Sequence, residues 1–98
     1  MIHVVVTFRI RPGALEPFVE AAYILIDAAR QEPGCLYYDL HASLTDPDRM
    51  LCYEQWTDRA AFDRHFTAPH RATFAGATRD FVLSSKVEII HPERVETL

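Results

Sequence analysis

The hydrophobic period switches repeatedly between two and about 3.6 along this chain, and the order of the switches leaves few architectures open. From Ile2 to Ile10 the even positions are Ile2, Val4, Val6, Phe8 and Ile10, against His3, Val5, Thr7 and Arg9 on the other side. Alternation of strong β-formers predicts a first strand, and Val5 makes its second face partly apolar, so both faces of the sheet ask for cover. After the turn at Arg11-Pro12-Gly13, the residues Leu15, Phe18, Val19, Ala22, Tyr23 and Ile26 recur at helical spacing. A helix over about Ala14 to Gln31 follows, with Pro17 in its first turn where the missing N–H costs nothing. Glu32-Pro33-Gly34 stops it, since proline disfavours a helical predecessor and glycine accepts the left-handed geometry past a helix end.

Cys35 to Leu44 alternates again, with Leu36, Tyr38, Leu40 and Ala42 on one side and Tyr37, Asp39, His41 and Ser43 on the other. Thr45-Asp46-Pro47-Asp48 has the chemistry of a turn, and Met50 to Trp56 returns as a third strand, so the two are expected to form a hairpin. Thr57 or Asp58 is placed to cap a helix whose Ala61, Phe62, His65 and Phe66 share one face. Pro69 opens a further short helix carrying Phe74, Ala77 and Phe81, and Val82 to Ile90 reads as the last strand. Strand, helix, strand, strand, helix, strand is the split βαβ of an α+β, ferredoxin-like fold: an antiparallel sheet with helices on one face. The bare opposite face, partly apolar, predicts a homodimer in which two sheets meet.

Residues 1–98 are read as one domain, because so short a chain cannot hold two cores. The formal charge of −4 offers no basic face for phosphate backbones, so no nucleic-acid partner is expected. The chain contains no run long and apolar enough for a membrane span, and Met1-Ile2-His3 lacks the basic start of a secretion signal; a cytoplasmic location is expected. Cys35 and Cys52 fall out of register in the hairpin and are expected to be free thiols.

Polar chemistry concentrates in Tyr53-Glu54-Gln55-Trp56 and in the stretch from Phe62 through His65 and Phe66 to Ala68-Pro69-His70. A register pairing Leu44 with Met50 puts Tyr38 opposite Trp56, Leu40 opposite Glu54 and Ala42 opposite Cys52, all on one face. Tyr38, Glu54 and Trp56 then share a layer with the inner face of the Ala61–Phe66 helix, where His65 arrives. The result is an aromatic-lined small-molecule pocket. Trp56 also suits a plain core, and a buried Glu54 needs an arginine partner or a capping role if it has no site role. His65 and His70 are the candidate bases, since imidazole titrates near neutrality. No metal is expected: the two histidines lie five apart with a proline between them, and the cysteines lack C-x-x-C spacing. Phosphate loops, a nucleophile elbow and a dinucleotide fingerprint are absent.

Glu32-Pro33-Gly34-Cys35 before an aromatic strand, Asp46-Pro47-Asp48-Arg49, Tyr53-Glu54-Gln55-Trp56, Ala61-Phe62 with His65, and Ala68-Pro69-His70 occur in order. Together they resemble the antibiotic biosynthesis monooxygenase domain family, and within it the small quinol monooxygenase-type members, from the first strand to the last. The resemblance implies a dimeric α+β barrel with a pocket between sheet and helices. It also implies oxidation of phenols, hydroquinones or enolisable polyketides by O₂ with no cofactor. Trp56 would orient substrate or oxygen, His65 or His70 would accept the phenolic proton, and Tyr38, Glu54, Phe62, Phe66 and Phe74 would bind the substrate. The haem-degrading members resemble this pattern at the Trp but use an Asn on the first strand, where this chain has Val6, Thr7 and Phe8. Two alternatives stand beside the oxygenase: an isomerase of the same family, and a non-catalytic dimeric module binding a small apolar ligand.

Overall fold

The computed structural model describes residues Met1–Leu98. Its elements run β1 (Ile2–Ile10), α1 (Leu15–Arg30), β2 (Cys35–Ala42), β3 (Arg49–Trp56), α2 (Arg59–Phe66), α3 (Pro69–Thr78) and β4 (Val82–Ile90). The strands form one antiparallel sheet in the order β2-β3-β1-β4, the ferredoxin-like arrangement expected, and the short helix expected to open at Pro69 is α3. No helix is long and apolar enough to cross a membrane.

All five even residues of β1 are buried, as are Met50, Cys52, Glu54 and Trp56 of β3. The helices cover that face. α1 presents Phe18, Ala22, Leu25 and Ala29, one stripe at helical spacing, so Tyr23 and Leu15 point to solvent although the sequence pattern had turned them inward. Phe8, Phe18 and Phe74 meet edge to face with centroids 5.3–5.9 Å apart and lock α1 and α3 onto β1. Asp58, rather than Thr57, caps α2 by accepting from the Ala61 N–H. Phe81 lies beyond the end of α3. The other sheet face is uncovered and exposes Tyr37, Leu51 and Ile90.

The hairpin differs from the expected register by two residues. Ala42 pairs with Met50, Leu40 with Cys52 and Tyr38 with Glu54. Ser43 is the cause: its hydroxyl accepts from the N–H groups of Thr45 and Asp46, so the strand ends early and Leu44 is left in solvent. A two-residue slip preserves the side-chain face, so Tyr38, Cys52 and Glu54 still point inward. A second departure is a bulge between Cys35 and Tyr37, where Cys35 pairs with Trp56. It turns Cys35 toward the core and leaves Leu36, expected inside, exposed. Both cysteines are free thiols.

Candidate functional site

The site is assembled from four chain segments, and the turn after α1 is its hinge point. Gly34 takes φ +87°, and its carbonyl accepts from the Thr57 N–H at 2.9 Å, which ties the turn to the segment leading into α2. A Cβ at Gly34 would lie 2.7 Å from both Ala61 Cβ and Thr57 Oγ1, so only glycine permits this approach. The same turn carries Glu32. His65 stands on the inner face of α2 with Ala61 and Phe62, and His70 is the second residue of α3, where Pro69 sets the helix start.

Glu32 joins the two histidines. Its Oε2 accepts from His65 Nδ1 at 2.5 Å and from His70 Nε2 at 3.1 Å. Because a carboxylate only accepts, both imidazoles must carry their proton on those nitrogens. That leaves the lone pairs of His65 Nε2 and His70 Nδ1 as the basic positions. His65 Nε2 lies 3.9 Å from Glu54 Oε1, deep in the protein, whereas the His70 side chain keeps 25 % exposure against 1 % for His65. Burial lowers the pKa of His65, opposed by its bond to Glu32, so the neutral ring is favoured.

Beneath His65 lies a buried floor. Trp56 donates its indole N–H to Glu54 Oε1 at 2.9 Å, and the Cys52 thiol donates to Glu54 Oε2 at 3.5 Å. Glu54 is therefore satisfied by neutral donors, with no arginine partner. Burial pushes its carboxyl up to about 7, against the pull of those two hydrogen bonds. Burial likewise raises Tyr38 and Cys52, so both keep their protons at neutral pH. The His65 ring packs 4.7 Å from Trp56 and 5.2 Å from Tyr38, centroid to centroid.

Tyr38, Glu54, Trp56, His65 and His70 thus converge, with Phe62 6.3 Å from His65. Two predicted wall residues stand outside this buried layer and line the clefts that flank it. Phe74 belongs to the cluster with Phe8 and Phe18, and Phe66 is 48 % exposed on the outer side of Phe62. The α2 face is narrower than its spacing suggested, because the short helix can turn only Ala61, Phe62 and His65 fully inward. Nor do the converging aromatics line an open pocket: Tyr38, Glu54, Trp56 and His65 fill their own layer, each 2 % exposed or less. Open space lies on either side. A cleft of about 350 Å³ between α1 and α3 is lined by Ile24, Leu25, Thr73 and Phe74, with His70 its sole titratable group. A second, about 410 Å³, lies between α2 and β4 against Phe62, Phe66, Val87 and Ile89.

Two residues of the site have other readings in the sequence. Glu32 reads as part of a helix stop, and nothing in local pattern joins it to His65, 33 positions away. Arg71, whose charge acts on Tyr38, Cys52, Glu54 and His65, shares the α3 face of Phe74 and Thr78 and could have been found by that spacing. Glu32, His65 and His70 also offer three ligand atoms within 4.8 Å of one another, although His65 and His70 alone lack metal spacing. One carboxylate and two imidazoles suit a first-row divalent ion. Such an ion would have to replace both shared protons and widen the 2.5 Å contact.

Fold and site together define a small ferredoxin-like α+β protein with a carboxylate-bridged histidine pair over a buried Glu–Trp floor. Residues 1–77 match the model of the antibiotic biosynthesis monooxygenase family, and the chain belongs to that family. It is 29 % identical over 91 residues to an uncharacterized protein of Synechocystis, covering 92 % of this chain but only 62 % of that protein. It is 26 % identical over 88 residues to YcnE of Bacillus subtilis, a provisionally named monooxygenase, covering 90 % of this chain and 92 % of that one. Among solved structures, a Shewanella oneidensis protein superposes with a TM-score of 0.86 at 33 % identity, over 93 % of this chain and 89 % of that one.

Proposed function

We propose that this chain is a cofactor-independent monooxygenase that oxidises phenolic, quinol-like or polyketide aromatic molecules with O₂, working as a homodimer in the cytoplasm. Family membership supports the reaction class. The observation that carries the proposal is the Glu32-bridged histidine pair, whose partly exposed member His70 also lines an apolar cleft. In this reading His70 removes the acidic proton of the substrate, and Glu32 stabilises the imidazolium that forms. The resulting anion is electron-rich enough to reduce O₂ itself. An anthrone-type CH₂ becomes C=O, or a hydroquinone becomes a hydroxyquinone; in either case one oxygen atom enters the product, the other leaves as water, and all four electrons come from the substrate. Trp56 serves by holding Glu54 and bracing His65, since its N–H is already committed to Glu54. The uncovered apolar sheet face supports the homodimer.

The test is oxygen uptake by metal-stripped protein with hydroquinones, dihydroxynaphthalenes and anthrones, repeated with His70→Ala and His65→Ala. Uptake without added flavin or metal is expected, reduced by about a hundredfold or more in His70→Ala, as for a lost general base. Absence of uptake across the panel overturns the oxygenase reading in favour of an isomerase or a binding module. Uptake unchanged in both variants overturns the histidine assignment.

A further inference from the structure

We propose that Arg71 is the anion anchor of a second ligand subsite, the cleft between α2 and β4 with its side groove, so that the ligands it selects are flat aromatic molecules bearing a negatively charged oxygen. This subsite is distinct from the His70 cleft, with which it shares no lining residue, and the proposal does not depend on the base assigned above. Arg71 stands three and seven positions before Phe74 and Thr78, the two buried residues of α3, so it lies on the stripe that faces the sheet. Its Nε is buried and has no hydrogen-bond partner. No carboxylate lies within 4.0 Å of its guanidinium, whereas Arg59, the other arginine beside these clefts, is already paired with Asp63 at 2.9 Å. A partly buried guanidinium without a counter-ion is unfavourable in a chain of net charge −4 that has carboxylates available to it.

The surroundings say what would complete it. The guanidinium carbon sits 4.7 Å from the centroid of the Phe66 ring, which orients the planar fork by cation–π contact. Phe66 and Thr67 line both the cleft between α2 and β4 and a shallower groove of about 200 Å³ that contains Arg71. A ring held against Phe62, Val87 and Ile89 can therefore pass its substituent around Phe66 to the guanidinium. A guanidinium fork suits a carboxylate or phenolate oxygen, because its N–H donors are fixed in a plane. Glu54 does not compete for it, since Trp56 and Cys52 already satisfy both of its oxygens.

The experiment compares binding of 2-naphthoate with that of 2-naphthamide, matched in shape and differing in charge, by calorimetry and by quenching of Trp56 fluorescence, with no turnover required. The wild-type protein is expected to bind naphthoate about tenfold tighter or more. Arg71→Met is expected to abolish that preference and leave naphthamide binding unchanged; Arg71→Lys, which keeps the charge without the fork, retains part of it. The thermal transition of each variant is recorded, and Arg71→Lys carries the comparison if Arg71→Met fails to fold. Equal binding of the two probes, no saturable binding of naphthoate at millimolar concentration, or a preference that survives in Arg71→Met or is undiminished in Arg71→Lys would overturn the anchor. Binding and oxygen uptake are scored separately: a naphthoate preference without uptake retires the oxygenase alone, and uptake without the preference retires the anchor alone.

Discussion

Replacing Glu54 with glutamine isolates the energetic cost of the buried carboxylate. Gln keeps the shape and can still accept from Trp56, but it cannot ionise. In the folded protein burial raises the carboxyl from 4.5 to about 7, so the fold favours the protonated acid. The stability this contributes is fully present below the unfolded value near 4.5 and is lost as pH rises through about 7. At about 1.4 kcal/mol per pH unit, the wild-type protein loses at most about 3 kcal/mol across that window, and Glu54→Gln should not. His65 titrates in the opposite sense, because its lowered pKa removes stability as pH falls, and this contribution is largely shared by the two proteins and cancels in their difference. Urea unfolding followed by the single Trp, at about pH 5 and about pH 8.5 and one fixed protein concentration, gives the comparison. Near-equal stabilities at the lower pH and an advantage of about 2–3 kcal/mol for Glu54→Gln at the higher are expected. A difference independent of pH would refute the reasoning, because Glu54 would then not be a carboxyl held neutral by burial.

Gly34→Ala forces a side chain into a left-handed backbone and onto Ala61 and Thr57, so a loss of about 2–4 kcal/mol in urea unfolding is expected. A loss below about 1 kcal/mol would show that the turn relaxes freely. Both thiols are raised by burial, Cys52 more than Cys35, so an aromatic disulfide reagent should titrate Cys35 slowly and Cys52 only after unfolding. Rapid reaction of both in the native protein would contradict the packing. Light scattering should give a mass near twice 11.2 kDa; a clean monomer would leave the apolar sheet face without its expected cover.

Much of the architecture was legible because it rests on local periodicity. β1 and β4 need no more than alternation and a turn signal, and α1 begins and ends within a residue of its expected bounds. Family membership was legible in short motifs kept in order. The hairpin register was not, because it depends on whether Ser43 continues the strand or bends it by hydrogen-bonding Thr45 and Asp46. The inward face of that strand was nevertheless recovered from Tyr38 onward, since a slip of two leaves parity unchanged. The bulge before Tyr37 was invisible, because one extra residue leaves the alternation looking intact while exchanging Cys35 for Leu36.

The candidate site divides the same way. Sequence alone placed Tyr38, Glu54, Trp56 and His65 on inner faces, because a side chain's face follows from its own neighbours along the chain. Only the tertiary structure brought Glu32 against both histidines and left Arg71 without a partner. Those contacts depend on how a turn, two helices and a sheet pack in space. Atoms 33 and 38 positions apart meet at hydrogen-bond distance when the angle between α2 and α3 and the close approach at Gly34 are right, and neither quantity is written in any local pattern.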